Sequence, residues 1–376
     1  MKKVVLIPDS FKGTLSSARI CRIVAEELHA ALPKVEVVPI PVADGGEGTV
    51  DAMLTAVGGE KIETACCGPY MERIIGFYGM LPDGTAVIEM AAAAGLPLVG
   101  EKMRPDRTTT YGVGELIADA LMRGARKIIL GLGGSATNDG GCGAAAALGV
   151  KFYKEDGTDF VPTGGTLHEI DRISMDELDP ALKETKFVTM CDIDNPLYGP
   201  NGASAVFAPQ KGATPEMVEK LDAGLRHLAK VVKRDLDVDV KRLAGGGAAG
   251  GMGAGTVAFF GSTLQMGIET VLDVTNFDTH AADADLVITG EGKLDSQSLR
   301  GKVVIGVARR AKQLGVPVAA LVGASERDIA GAYEAGVSGV FPINPAPKPF
   351  SEVRGESEEN LRFTARNLIH FISCLK

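Results

Sequence analysis

The segment that most restricts the fold runs from Leu286 to Val304. Leu286-Val287-Ile288-Thr289 is a short apolar, β-branched run of the kind that forms a fully buried strand. Gly290-Glu291-Gly292-Lys293-Leu294-Asp295 follows as a polar loop, and a helical pattern resumes at Gly301-Lys302-Val303-Val304. A strand feeding a loop and then a helix is the repeating piece of an open parallel sheet. In such sheets ligands sit outside the carboxyl ends of the strands, so this loop is where chemistry is expected. Its two carboxylates and lysine could hold a metal or a phosphate while orienting a hydroxyl nucleophile.

The amino-terminal segment repeats the pattern. Residues 3–7 read as a buried strand, Pro8 to Thr14 as its loop, and Ser16 as the cap of a helix with Ile20, Val24 and Leu28 on one face. Val35 to Ile40 is a second strand, followed by the polar loop Ala43-Asp44-Gly45-Gly46-Glu47-Gly48-Thr49. The two loops of this βαβ start should lie side by side, bringing Lys12 near Asp44 and Glu47. Two strands are too few for a stable sheet. Strands at 286–289, 317–322 and 338–341, separated by helices that Gly315 and Gly336 close, complete it. Both chain ends are therefore expected to fold together as one doubly wound α/β domain, residues 1–70 plus 284–376, with a mixed α/β domain of residues 71–283 inserted.

The boundary follows from a change of pattern. Segments 61–67, 74–80 and 85–90 read as short strands, with Pro82-Asp83-Gly84 as a hairpin signal. An antiparallel meander is not expected to continue a parallel sheet, which places the boundary between about 60 and 85. Beyond it, Thr108-Thr109-Thr110 should cap a helix ending at Gly124, and the strand 127–130 opens into the glycine-rich run Gly131 to Gly141. A strand at 187–191 leads into Asp192-Ile193-Asp194-Asn195, and Thr214-Pro215-Glu216 is a strong helix start.

Composition excludes several classes of partner. A net charge of -9 argues against nucleic acid and anionic membranes, which recruit through clustered lysine and arginine. No apolar run approaches membrane-spanning length, and the first residues read as a strand and not as a signal peptide. The six cysteines have no metal-ligand spacing, so reduced thiols in a cytoplasmic protein are expected.

The glycine-rich stretches admit more than one reading. Gly131-x-Gly133-x-x-Ala136 after a strand fits a dinucleotide fingerprint, although more glycines interrupt the helix behind it and no ribose-binding acid is clear. The same loop could cradle phosphate, with Ser135, Thr137 and Asn138 adding hydrogen bonds, or serve packing alone. Gly245 to Gly255, with seven glycines, is either a phosphate loop or a closely packed turn. Asp192 and Asp194 suit magnesium or a turn-forming pair. Walker-type spacing and a G-x-S-x-G elbow are both lacking, so a P-loop and a serine hydrolase are unsupported.

The sequence resembles the bacterial type I glycerate kinases over nearly its whole length. The motifs that carry the resemblance are Pro8-Asp9-Ser10-Phe11-Lys12-Gly13, Ala43 to Thr49, Tyr111-Gly112-Val113-Gly114-Glu115-Leu116, Gly133 to Gly141 and Thr289 to Asp295. The resemblance implies a flavodoxin-like domain and a second domain with the site enclosed between them, and phosphorylation of D-glycerate by ATP and a divalent metal, typically at the 2-hydroxyl. It leaves room for a homodimer. The expected assignments are Lys12, Asp44 and Asp295 for catalysis, and Asp9, Ser10, Glu47 and Lys293 for substrate. Gly133, Gly134, Ser135, Asn138, Gly250 and Gly251 are expected to hold the nucleotide, and Asp192 and Glu291 Mg2+. The rival expectations are an NAD-dependent dehydrogenase of a small hydroxy acid and a non-catalytic acid-binding protein.

Overall fold

The strand Lys3–Pro8 is buried along its whole length and pairs in parallel with Glu36–Pro39 on one side and Leu286–Leu294 on the other. A computed structural model describes residues 1–42, 45–295, 298–345 and 350–374 of the chain. Residues Val4 and Leu6 join one apolar layer with Leu286, Ile288, Ala319 and Leu321 and with the helices Ser17–Ala31 and Ser357–Ser373. Residues Val5 and Ile7 alternate to the opposite face and are equally buried. Burying each such side chain is worth about 1.5–3 kcal/mol, so a strand covered on both faces contributes heavily to its sheet. Ser16 caps the first helix by accepting from Arg19 N, as its position before the apolar stripe predicts.

Across this sheet the strands run Val337–Pro342, Val318–Ser325, Leu286–Leu294, Lys3–Pro8, Glu36–Pro39, all parallel. Counted along the chain within the sheet, that is the flavodoxin-like order 2-1-3-4-5, and its switch point lies between Lys3–Pro8 and Leu286–Leu294. One expectation needs correction. Residues 290–294 are not loop: Glu291 pairs with Val322, Lys293 with Ala324 and Leu294 with Ser325, so the strand continues past the end of its other neighbour. The glycines broke the apolar pattern there without breaking the extended backbone.

Contacts divide the chain into one unit of Met1–Asp44, Thr55–Val57 and Met266–Lys376, and a second of Gly45–Leu54 and Gly58–Gln265. These limits differ from the expected 70 and 284. The strand Glu60–Cys67 pairs with Arg73–Met80 in the second unit's sheet, and the helix Gly267–Val274 packs against Val303–Gln313 in the first.

The second unit's sheet runs Thr263–Gln265, Lys186–Met190, Lys127–Gly131, Thr85–Glu89, Arg73–Met80, Glu60–Cys67. Its first four strands are parallel and the last two antiparallel. The meander therefore does continue into parallel strands, because Thr85–Glu89 pairs in both senses. Pro82-Asp83-Gly84 forms the expected turn, with Leu81 N donating to Thr85 O and Gly84 at φ +80°.

Two local expectations also change. The helix Tyr111–Met122 has no side-chain cap from Thr110, whose hydroxyl instead donates to Asp139. Residues 248–260 form a helix interrupted by left-handed backbone at Ala249, Gly250 and Gly251, in place of a loop or simple turn.

Candidate active site

The carboxyl edge of the first unit's sheet gathers most of the residues singled out there by sequence. Asp9, just past Lys3–Pro8, donates its N–H to Gly290 O at 2.8 Å, while its carboxylate accepts from Ser10 N at 2.6 Å. The next turn is closed by reciprocal bonds between Phe11 and Leu15, with Gly13 at φ +77° and Lys12 exposed at its tip. Across from it, a Cβ on Gly292 would sit 3.7 Å from Lys12 N and from Phe11 Cα, which brings the Lys12 turn against the end of Leu286–Leu294. Lys293 is exposed and paired with Glu326 at 3.0 Å and Asp295 at 3.4 Å. Asp295 also accepts from Ser298 N, and Asp295 N donates to Ser298 Oγ.

Glu291 is the exceptional group of this edge. It is 5% exposed, and burial pushes its pKa up to about 7; Ser298 and Lys302 favour the charged form, while the charges of Asp9 and Asp295 oppose it. Its Oε1 has no hydrogen-bond partner among the described residues. A carboxyl poised near neutrality at the switch point can hold a proton, accept one or bind a cation.

In the second unit the two glycine stretches pack against each other. Gly140 N donates to Gly250 O at 3.0 Å, and a Cβ on Gly250 would collide with the Thr137 carbonyl. Gly131 and Gly133 meet Gly45 and Gly46 in the same way, with Gly133 N donating to Gly45 O. Close approach of these glycines is thus to protein backbone, which gives the dinucleotide fingerprint no support. Gly134 has φ +72° and lies where the loop bends toward Gly95. Asn138 is buried with its amide on Ser204 Oγ, and Gly251 packs on Gly140.

Asp139, which falls inside the Gly133 to Gly141 motif, is fully buried and holds this loop together. It accepts from Thr110 N, Thr110 Oγ1, Gly141 N and Gly143 N. Burial raises its pKa, and those four bonds act in the opposite direction. Glu89, also missed, ends the strand Thr85–Glu89 and accepts from Val50 N at 2.8 Å, adding a second carboxylate to that of Asp51 at the start of the helix Thr49–Val57. Glu89 carried no local signal, because it acts on backbone 39 residues away, and the part of Asp139's role that was illegible is its pair of bonds from Thr110, 29 residues away.

Asp44 lies outside the described residues. Glu47 is exposed in the second unit, one residue before the left-handed Gly48 that precedes the helix Thr49–Val57. Asp192 is half-buried in irregular chain after Lys186–Met190, also in the second unit, whereas Glu291 belongs to the first. Among the described residues no three His, Cys, Asp or Glu side chains group to hold a metal. Mg2+ needs only one or two protein carboxylates, and the unpartnered Glu291 Oε1 is a donor of that kind. All six cysteines are free thiols, five of them buried. No helix among the described residues is long and apolar enough to cross a membrane.

The model of the Glycerate kinase family matches residues 4–373. A Bacillus cereus protein described as a glycerate kinase is 48% identical over 97% of this chain and 97% of its own length. An Escherichia coli (strain K12) protein described as glycerate 2-kinase is 44% identical, again over 97% of each. A crystal structure of a glycerate kinase 2 candidate from Salmonella typhimurium LT2 superposes with a TM-score of 0.88 at 43% identity, covering 99% of this chain and 98% of that one.

Proposed function

Because the chain belongs to the glycerate kinase family, we propose that it transfers the γ-phosphoryl group of ATP to the 2-hydroxyl of D-glycerate in the cytoplasm, as a type I member. The relative described as glycerate 2-kinase supports the choice of hydroxyl. The geometric observation that carries the reading is Glu291, buried at a topological switch point beside Asp9 and Asp295 with one oxygen unpartnered. Lys12 and the amides of its turn are assigned to the substrate carboxylate, with Ser10, Asp9 and Lys293 around its hydroxyls. Asp295 is assigned to the hydroxyl proton. Glu47, and Asp44 beyond the described residues, remain part of the proposed set.

The glycine loops of the second unit are assigned to the phosphates through Gly133, Gly134, Ser135, Asn138, Gly250 and Gly251. For Gly250 and Gly251 the contribution is close packing that shapes the loop around Thr137 and Gly140. Glu291 and Asp192 are each a carboxylate of the type that takes Mg2+. That ion, when bound, supplies positive charge against the phosphate oxygens. The protein's own part is positioning and charge neutralisation, which is most of what phosphoryl transfer requires.

Phosphorus NMR of the product formed from D-glycerate, ATP and Mg2+ tests the reaction. Transfer to the 2-hydroxyl gives a phosphorus coupled to one carbon-bound proton, and transfer to the 3-hydroxyl gives one coupled to two. No new phosphate ester at all would end the kinase reading. Folded Lys12→Ala and Asp295→Asn should each lose about 10²- to 10⁴-fold in kcat/KM. Near wild-type values in both would mean the site is misplaced.

A further inference from the structure

A buried lysine stands under the glycine loop of the second unit. Lys211 ends the short 3-10 turn Pro209–Lys211, and the next residue, Gly212, turns at φ +90° against Met103, where a side chain would not fit. The lysine is 3% exposed. Its Nζ donates to Ser135 Oγ and to the Thr137 carbonyl, both at 2.7 Å. Both acceptors are neutral. A buried ammonium ordinarily has a carboxylate partner, since desolvating a lone charge is expensive. The charged group that bears on Lys211 is Asp139, whose carboxylate is already committed to Thr110, Gly141 and Gly143.

Two further observations fit this loop to an anionic ligand. The Thr137 hydroxyl is fully buried and has no partner among the described residues. Ser135, by accepting from Lys211, keeps its own O–H to donate elsewhere, and at 6% exposure it is the least deeply buried residue of this group. An acceptor rich in negative charge just outside Ser135 would satisfy that hydroxyl and offset the ammonium beneath it.

We propose that Lys211 is a positioning residue for nucleotide phosphate: it orients Ser135 as a hydrogen-bond donor, and its charged form gains a second negative partner, beyond Asp139, when a phosphate group occupies the loop. This rests on assignment of the 133–141 loop to ATP. Burial pulls the Lys211 pKa down to about 7, so at pH 7.5 the empty protein carries it about one-quarter protonated. A phosphate nearby restores the charged form, and ATP binding should take up as much as about three-quarters of a proton at this site.

Calorimetry of ATP binding in buffers of different ionisation enthalpy measures that uptake directly. The wild type should take up more protons than Lys211→Met, and the difference should shrink below pH 6, where the lysine is already charged. In steady-state assays Lys211→Met should raise KM for ATP about tenfold and leave KM for D-glycerate unchanged, the loss expected for one charge-assisted contact. Ser135→Ala, a smaller change, should weaken ATP binding while keeping the proton uptake. ATP binding without proton uptake in the wild type overturns the proposal whether or not the lysine variant folds. Equal uptake in a folded Lys211→Met, or an equal rise in both KM values, overturns it too. Failure to bind ATP at all overturns the phosphate assignment of the loop together with it.

Discussion

Glu291 ties the stability of the first unit to pH. Its folded pKa of about 7 stands above the ordinary carboxyl value of 4.5, so the folded state binds its proton more tightly than the unfolded chain does. The resulting stabilisation is present below pH 4.5 and is lost as pH rises through 7. Glu291→Gln removes the titration. Its stability relative to the wild type should therefore improve from pH 5 to pH 8.5, by on the order of 2–3 kcal/mol, while its activity falls. Urea unfolding at the two pH values checks this, and parallel pH profiles for the two proteins would refute it. The residue was legible as a site candidate because Gly290-Glu291-Gly292 interrupts an apolar run. Its burial was not, since that depends on pairing with Val318–Ser325, which no local pattern announces. Lys211 was invisible for a related reason: a lysine is expected at the surface, and only the bend at Gly212 and the partners on Ser135 and Thr137 turn it inward.

At the scale of elements, hydrophobic period and caps located most helices and strands, and the misreadings concentrate where glycine clusters. Glycine reports backbone freedom without saying what uses it. In residues 248–260 the use is packing: three successive left-handed residues, Ala249 to Gly251, let the backbone reach Thr137 and Gly140 before the helix resumes. Alanine at φ +53° is the strained member, because its Cβ crowds the following carbonyl in this conformation. Ala249→Gly should relieve about 1–2 kcal/mol of that strain, less the roughly 0.4–1 kcal/mol of extra entropy lost by glycine on folding. A small rise in Tm is expected. Gly250→Ala should do the reverse and more, because its Cβ collides with the Thr137 carbonyl. Thermal melts of the two variants moving in the same direction would contradict this account.

For the molecule as a whole, the sequence supported joining the chain ends because two amino-terminal strands cannot make a sheet alone, and the central strand Leu286–Leu294 indeed lies beside Lys3–Pro8. The limits of the second unit were harder to read, since they depend on where Gly45–Leu54 packs. This segment precedes the meander in sequence, yet Gly45 O accepts from Gly133 N, Gly46 fills the space beside Gly133, and Val50 N satisfies the buried Glu89. A fragment of residues 45–265 keeps these partners, and one of residues 58–265 loses them. Leaving the Glu89 carboxylate without that donor alone costs about 1–3 kcal/mol, and the exposed backbone of Gly131 and Gly133 adds to it. The longer fragment should unfold cooperatively in urea, and the shorter one at a clearly lower midpoint or without a cooperative transition. Equal midpoints would show that the second unit is complete without residues 45–57, and that those residues serve the glycine loop in some way other than as part of its fold.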